Sequence, residues 1–199
     1  MPRDEAYSRK KLERVLPILY QSAVAGVRAG LNEYRTTGHI HRKTTRRSIV
    51  RDHIVDHLRA NLMTDPHVSI RDRNQTTYFE IDGEFRLLAK MANADGIVAL
   101  NRNQNSFDFQ DNKPSMLFGP DELEETTNLY LSYVPNSVTP EEPFVHIICP
   151  KAGGYYWRME LEPPAAAAIP EITRNPTPDD QDDDLVRVIP EDKPDTSET

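Results

Sequence analysis

Between Leu62 and His67 the spacing of apolar residues switches from helical to alternating, and this change of period constrains the fold more than any other feature of the chain. Before it, Leu12, Leu16, Leu19, Tyr20, Ala23, Val27, Leu31 and Tyr34 fall at helical spacing, so Ser8–Tyr34 reads as helix. Pro17 lacks an amide hydrogen and marks either a kink or the first turn of the main helix after a short lead-in. A second helix is expected from an N-cap at Thr44 or Thr45 to about Met63. Its buried stripe is Val50, Ile54, Val55, Leu58 and Leu62, and Thr64-Asp65-Pro66 stops it.

After the switch, short alternating runs follow one another. His67–Arg71 reads as a strand, and Thr76–Ile81 with Phe85–Lys90 as a hairpin. A two-residue loop would set Ile81 opposite Glu84 and mix the faces. A three-residue loop, Asp82 to Glu84, pairs Ile81 with Phe85 and Phe79 with Leu87. It also pairs Glu80 with Arg86, and it places Gly83 or Glu84 in the left-handed region. Ile97–Leu100 is a further candidate strand, Asn101–Asn105 a turn or exposed loop, Ser106–Gln110 ambiguous, and Asp121–Glu125 one helical turn. Leu129–Val134, Phe144–Cys149 and Tyr155–Leu161 complete the set. Pairing Cys149 with Tyr155 gives one continuous apolar face, with His146 and Arg158 on the other. The expected class is α+β: two N-terminal helices packed on an antiparallel sheet of about six or seven strands.

The domain is expected to span 1–162, with 163–199 an acidic, Pro-rich disordered tail. The tail holds 10 Asp/Glu against 3 Lys/Arg and seven of the 16 prolines, so most of the net charge of −8 belongs to it. The body is nearly neutral but polarised. Met1–Arg59 carries 13 Lys/Arg against 6 Asp/Glu, and Ala60–Glu162 carries 8 against 16. Within the tail, Leu185, Val186, Arg187, Val188 and Ile189 form one apolar island, a candidate partner-binding segment that could add a strand to a partner's sheet. Cys149 is the single cysteine, so no internal disulfide forms and a cytoplasmic setting is expected. Its apolar strand points to a buried core thiol. With no signal-like segment and no run of ~20 apolar residues, neither secretion nor membrane spanning is expected.

Several catalytic patterns can be weighed on spacing. His53 and His57 lie four apart with Asp56 between them, in an order like an inverted zinc-peptidase motif with Asp for Glu. Zinc needs a third protein ligand, and His39 and His41 are the nearest candidates. The simpler reading is structural histidines, and no metal or cofactor is expected. A metal-dependent nuclease would draw on Asp82, Glu84 and Lys90, but the Glu–Lys spacing does not fit. Glu80, Arg86 and Lys90 read better as cross-strand ion pairs on a solvent face. No Gly-rich phosphate loop or Gly-x-Ser-x-Gly elbow is present. The strongest ligand signal is basic: Arg42, Lys43, Arg46, Arg47 and Arg51 cluster at a loop and helix start, which suits phosphate. An ordinary solvated helix face gives the same pattern.

Five segments in order resemble a family of bacterial and phage-borne proteins encoded beside a metallopeptidase of the ImmA/IrrE type. They are TRRSIVRDHIVDHLRANL (45–62), FEIDGEFRLLAKM (79–91), NRNQNSFDFQDN (101–112), LYLSYVP (129–135) and VHIICPKAGGYYWRMEL (145–161). The resemblance implies genetic partnership with that peptidase and supplies no catalytic residue. The expected function is therefore a non-enzymatic interaction or regulatory protein, antitoxin-like or a phage-defence or mobile-element partner of a co-encoded peptidase or toxin. The alternative is a nucleic-acid-binding effector acting through the basic helix 42–59.

Overall fold

The computed structural model describes residues 1–37, 42–73, 75–93, 95–99, 103–113 and 126–164. The chain divides into two units, Met1–Ala166 and Ala167–Thr199, and every described residue belongs to the first. His39, His41, the turn expected over 121–125 and the apolar island 185–189 lie outside the described residues.

Helix α1 (Glu5–Leu12) starts on Asp4, whose carboxylate accepts the Tyr7 amide at 2.8 Å. Helix α2 (Leu16–Thr36) then begins with Pro17 in its first turn. The stretch read as one helix is therefore two, and three helices precede the sheet where two were expected. Proline's missing donor is harmless in a first turn and costly further in, so the chain restarts there. Helix α3 (Lys43–Leu62) has Arg42 as its N-cap, upstream of the expected Thr44 or Thr45, and Arg42 makes no side-chain cap bond.

Helices α2 and α3 nearly touch along their backbones. A Cβ built on Gly26 would lie 2.4 Å from Ile54 Cα, and one on Gly30 2.7 Å from Val50 Cα. Glycine at these two positions permits the approach. The pair then buries Leu19, Ala23, Val27, Ile54, Leu58 and Leu62 against the sheet.

The sheet has six strands in chain order: β1 (Val68–Arg73), β2 (Thr76–Ile81), β3 (Phe85–Met91), β4 (Thr127–Val134), β5 (Phe144–Lys151) and β6 (Gly154–Leu161). It is mixed, which corrects the expected antiparallel sheet: β3 and β4 run parallel, from Phe85↔Thr127 to Met91↔Tyr133. Parallel neighbours require a crossover of a dozen residues or more. The 35 residues between Met91 and Thr127 supply it, with helix α4 (Gln104–Gln110) on the way. Phe109 of α4 packs with Tyr78, Leu88, Tyr130 and Ile148, while the alternate residues Phe79, Leu87, Leu131 and Ile147 pack with α2 and α3. The middle strands are thus buried on both faces, and every residue of β4 is buried.

Smaller expectations resolve individually. The ambiguous Ser106–Gln110 is helical, and Asn103, expected in a turn, caps that helix by accepting the Ser106 amide at 2.9 Å. Of the candidate strand at 97–100, which is described as far as Ala99, the structure has a bridge between Ala92 and Val98. The β2–β3 hairpin has the expected pairs Ile81↔Phe85, Glu80↔Arg86 and Phe79↔Leu87. Gly83 is left-handed at φ +69°, joined by Asp82 at +53° rather than Glu84. The β5–β6 register differs by two: Cys149 faces Trp157, not Tyr155. Both strands run on to Lys151 and Gly154, and a bulge between Cys149 and Pro150 takes up the slack. A shift of two preserves faces, so Cys149, Trp157 and Met159 still point into the main core. Cys149 is fully buried, and burial pushes its thiol up to about 12.

A candidate anion-binding site at the fork of the sheet

Strand β2 is shared unequally. Its ladder with β1 runs the full length to Arg73↔Thr76, but its ladder with β3 stops at Phe79↔Leu87. Strand β3 meanwhile stays paired with β4 as far as Met91. The β1–β2 ribbon therefore diverges from β3 and leaves a fork. In the fork lies a cleft of about 170 Å³. Thr77 and Tyr78 form one wall and Leu88 to Lys90 the other. Asn105, Ser106 and Phe109 of α4 close one side, and Arg51 and Asp52 of α3 stand at the other. Tyr78, Phe109 and Tyr130 make an aromatic cluster, with ring centroids 6.1 Å and 5.0 Å apart along the series.

The fork changes the role expected of Lys90. Glu80 and Arg86 do pair, at 2.9 Å and 3.1 Å, but on the face covered by α4: Arg86 is 4% exposed. Arg71 also binds Glu80, at 2.8 Å. The expected solvent-face pairing is thus a buried one. Lys90 has no part in it, because β2 has already turned away. Among the described residues the Lys90 side chain makes no hydrogen bond or ion pair, and the residue lines the cleft. Burial lowers its pKa, and the nearby Arg51 lowers it further. Among the described residues the only carboxylate lining the cleft is Asp52, which is engaged by Arg51 at 2.8 Å.

A lysine depressed in the fold costs stability while it is charged. That cost disappears as pH rises from its folded pKa toward the unfolded value near 10.5. Lys90→Met is therefore expected to raise the melting temperature of the ligand-free protein at pH 7. The advantage should shrink in melts taken at pH 9 to 10. A variant that melts lower than wild type at pH 7 would contradict this account.

The basic segment meets the cleft from the α3 side. Arg42 and Lys43 are exposed, Arg46 stacks over Tyr34 at 5.6 Å, and Arg51 reaches the cleft. Arg47 is half-buried, and its Nε has no hydrogen-bond partner among the described residues. Beside these residues runs an apolar groove of about 280 Å³ between Leu31, Tyr34, Val50, Met91 and Tyr133, rimmed by Lys43, Arg46 and Arg47. The Tyr133 hydroxyl is also buried without a partner among the described residues. Burial pushes its phenol up to about 12, with Arg51 and Arg47 pulling the other way. The structure thus places Arg46 and Arg47 on the groove and Arg51 on the cleft, and adds to the cleft Lys90, which sequence reasoning had placed elsewhere.

The histidine motif does other work. His53 Nε2 lies 2.5 Å from Glu33 Oε2, tying α3 to α2. Among the described residues no three His, Cys, Asp or Glu groups come together as metal ligands. One further polar row escaped the sequence reading. Lys90, Ser132, His146 and Glu160 are successive cross-strand neighbours on the α4 face. Ser132 Oγ and His146 Nδ1 are buried and have no hydrogen-bond partner among the described residues. Burial first, and then Arg158, lowers the His146 pKa against the pull of Glu160.

No protein-family model matches the chain, and no curated protein or solved structure matches it either. Among the described residues no helix is long and apolar enough to cross a membrane.

Proposed function

We propose that this protein is a non-enzymatic regulatory module that binds a nucleic-acid strand through the amino end of α3 and the adjoining fork. One observation carries the reading. The 20-residue helix α3 starts with no side-chain cap from Arg42 and no acidic residue in its first turn; it carries Lys43 and Arg46 there instead, with Arg47 next to them. A helix amino end is already positive and favours anions, so stacking cations on it costs energy in the free protein. A phosphate backbone relieves both charges at once.

The test is binding to single-stranded DNA and RNA across a salt series. Affinity should fall steeply with salt. Replacing Arg46 and Arg47 together by alanine should reduce the log–log slope by about 1.4, at ~0.7 per lost phosphate contact. Absence of binding to any DNA or RNA at low salt would reject the proposal.

A second reading draws on the apolar groove beside the cations. Its apolar walls and basic rim suit an acidic, apolar segment of a protein partner. That supports the partnership implied by the family resemblance: an antitoxin-like or phage-defence role beside a co-encoded peptidase or toxin. Co-purification with the product of the neighbouring gene would support it, and a monomer indifferent to that product would exclude it.

A further inference from the structure

We infer that the fork cleft is a pocket for a phosphate monoester, so that the protein recognises the phosphorylated end of a strand. The inference rests on the nucleic-acid reading above for its macromolecular ligand, but the pocket chemistry stands on separate residues.

Three features of the cleft converge. The first is charge. Lys90 and Arg51 line the cleft and, among the described residues, meet there one carboxylate, that of Asp52, which Arg51 already engages. One positive charge is left over, on a half-buried ammonium with no counter-ion among the described residues. Proteins rarely keep such a charge unless it is paired or used. The second is neutral donors. The side chains of Asn105 and Ser106 line the same space and can serve the extra acceptor oxygens of a phosphate, while the Thr77 hydroxyl beside them already donates to Asp72.

The third is shape. Buried Tyr78, Phe109 and Tyr130 back the cleft, so a chain cannot pass through it with residues on both sides. At about 170 Å³ it is also smaller than the ~300 Å³ typical of the smallest drug-sized sites. A chain end fits these limits and an internal linkage does not. The terminal group also matches better in charge: a phosphate monoester carries about −1.5 to −2 at neutral pH, against −1 for an internal diester. Arg51 lines the cleft and belongs to α3, so a strand held by its end can leave along the basic face of that helix.

The same chemistry is offered by a strand end and by a free mononucleotide. The experiment therefore uses the full chain with three probes: a 5′-phosphorylated single strand, the same strand with a 5′-hydroxyl, and a nucleoside monophosphate. Wild type should bind the phosphorylated strand at least tenfold more tightly, with the difference lost in Lys90→Met. Ser106→Asp, which places a carboxylate in the cleft without touching Lys90, should also lose it. Arg46→Ala with Arg47→Ala should weaken both strands alike and keep the ratio. Equal affinity of wild type for the two strands, or a ratio that survives both cleft variants, overturns the inference and leaves the basic face in place. If neither strand binds but the mononucleotide raises the melting temperature of wild type and not of Lys90→Met, the pocket stands and the nucleic-acid reading falls. If no probe has any effect, both fall.

Discussion

Gly26→Ala is expected to destabilise the protein by roughly 3 kcal/mol or more, the upper end of what overpacking costs. The substitution looks benign on propensity alone, since alanine in a helix interior gains up to ~1 kcal/mol over glycine. Here packing outweighs propensity. The added methyl would lie 2.4 Å from Ile54 Cα and 2.5 Å from its amide nitrogen, both main-chain atoms that no rotamer change can move. Helices α2 and α3 must separate, and the contacts of Leu19, Ala23 and Leu58 beneath them loosen. Gly154→Ala is the control, because its Cβ would meet nothing within 4 Å. Chemical denaturation should show a large loss of midpoint for the first and little change for the second. Near-equal midpoints would mean that the two helices stand further apart than described.

Glu80→Ala should cost about 3–5 kcal/mol, the usual penalty for removing one member of a buried ion pair. Glu80 is held from two sides, by Arg86 at 2.9 Å and Arg71 at 2.8 Å. Its loss leaves two guanidinium groups facing the vacated site, with Arg86 only 4% exposed. A double replacement, Glu80→Leu with Arg86→Met, removes the charge as well as its partner and should recover most of the loss. If the double variant is no more stable than Glu80→Ala, the ion pair matters through more than its charge balance.

The hairpin β2–β3 was legible in the sequence down to its residue pairs, because only one loop length keeps Phe79, Ile81, Phe85 and Leu87 on one face. The β5–β6 hairpin was legible only in its faces. A register slip of two leaves every side chain on its side, so the pattern cannot distinguish Cys149 opposite Tyr155 from Cys149 opposite Trp157. The bulge at Pro150 that decides between them is a backbone event. The parallel join of β3 and β4 left a fainter trace. FRLLAKM and TNLYLSYV are richer in apolar residues than a one-sided strand needs, which fits burial on both faces. The crossover helix QNSFDFQ, however, is short and polar and buries only Phe109. The site divided in the same way. The arginine cluster on α3 was visible as a charge run. Lys90 was not, because its lack of a partner follows from where β2 and β3 part.

The parallel ladder also divides the work of folding. On one side of it β1, β2 and β3 form a meander of adjacent hairpins, and on the other β4, β5 and β6 form a second. Each closes through loops of at most nine residues, cheap in chain entropy and quick to form. Joining them means bringing Phe85 beside Thr127 across the whole crossover, with α2 and α3 seated on both halves. The meeting of the two half-sheets is therefore expected to be the slow step of folding, and the seam where they meet ends beside Lys90.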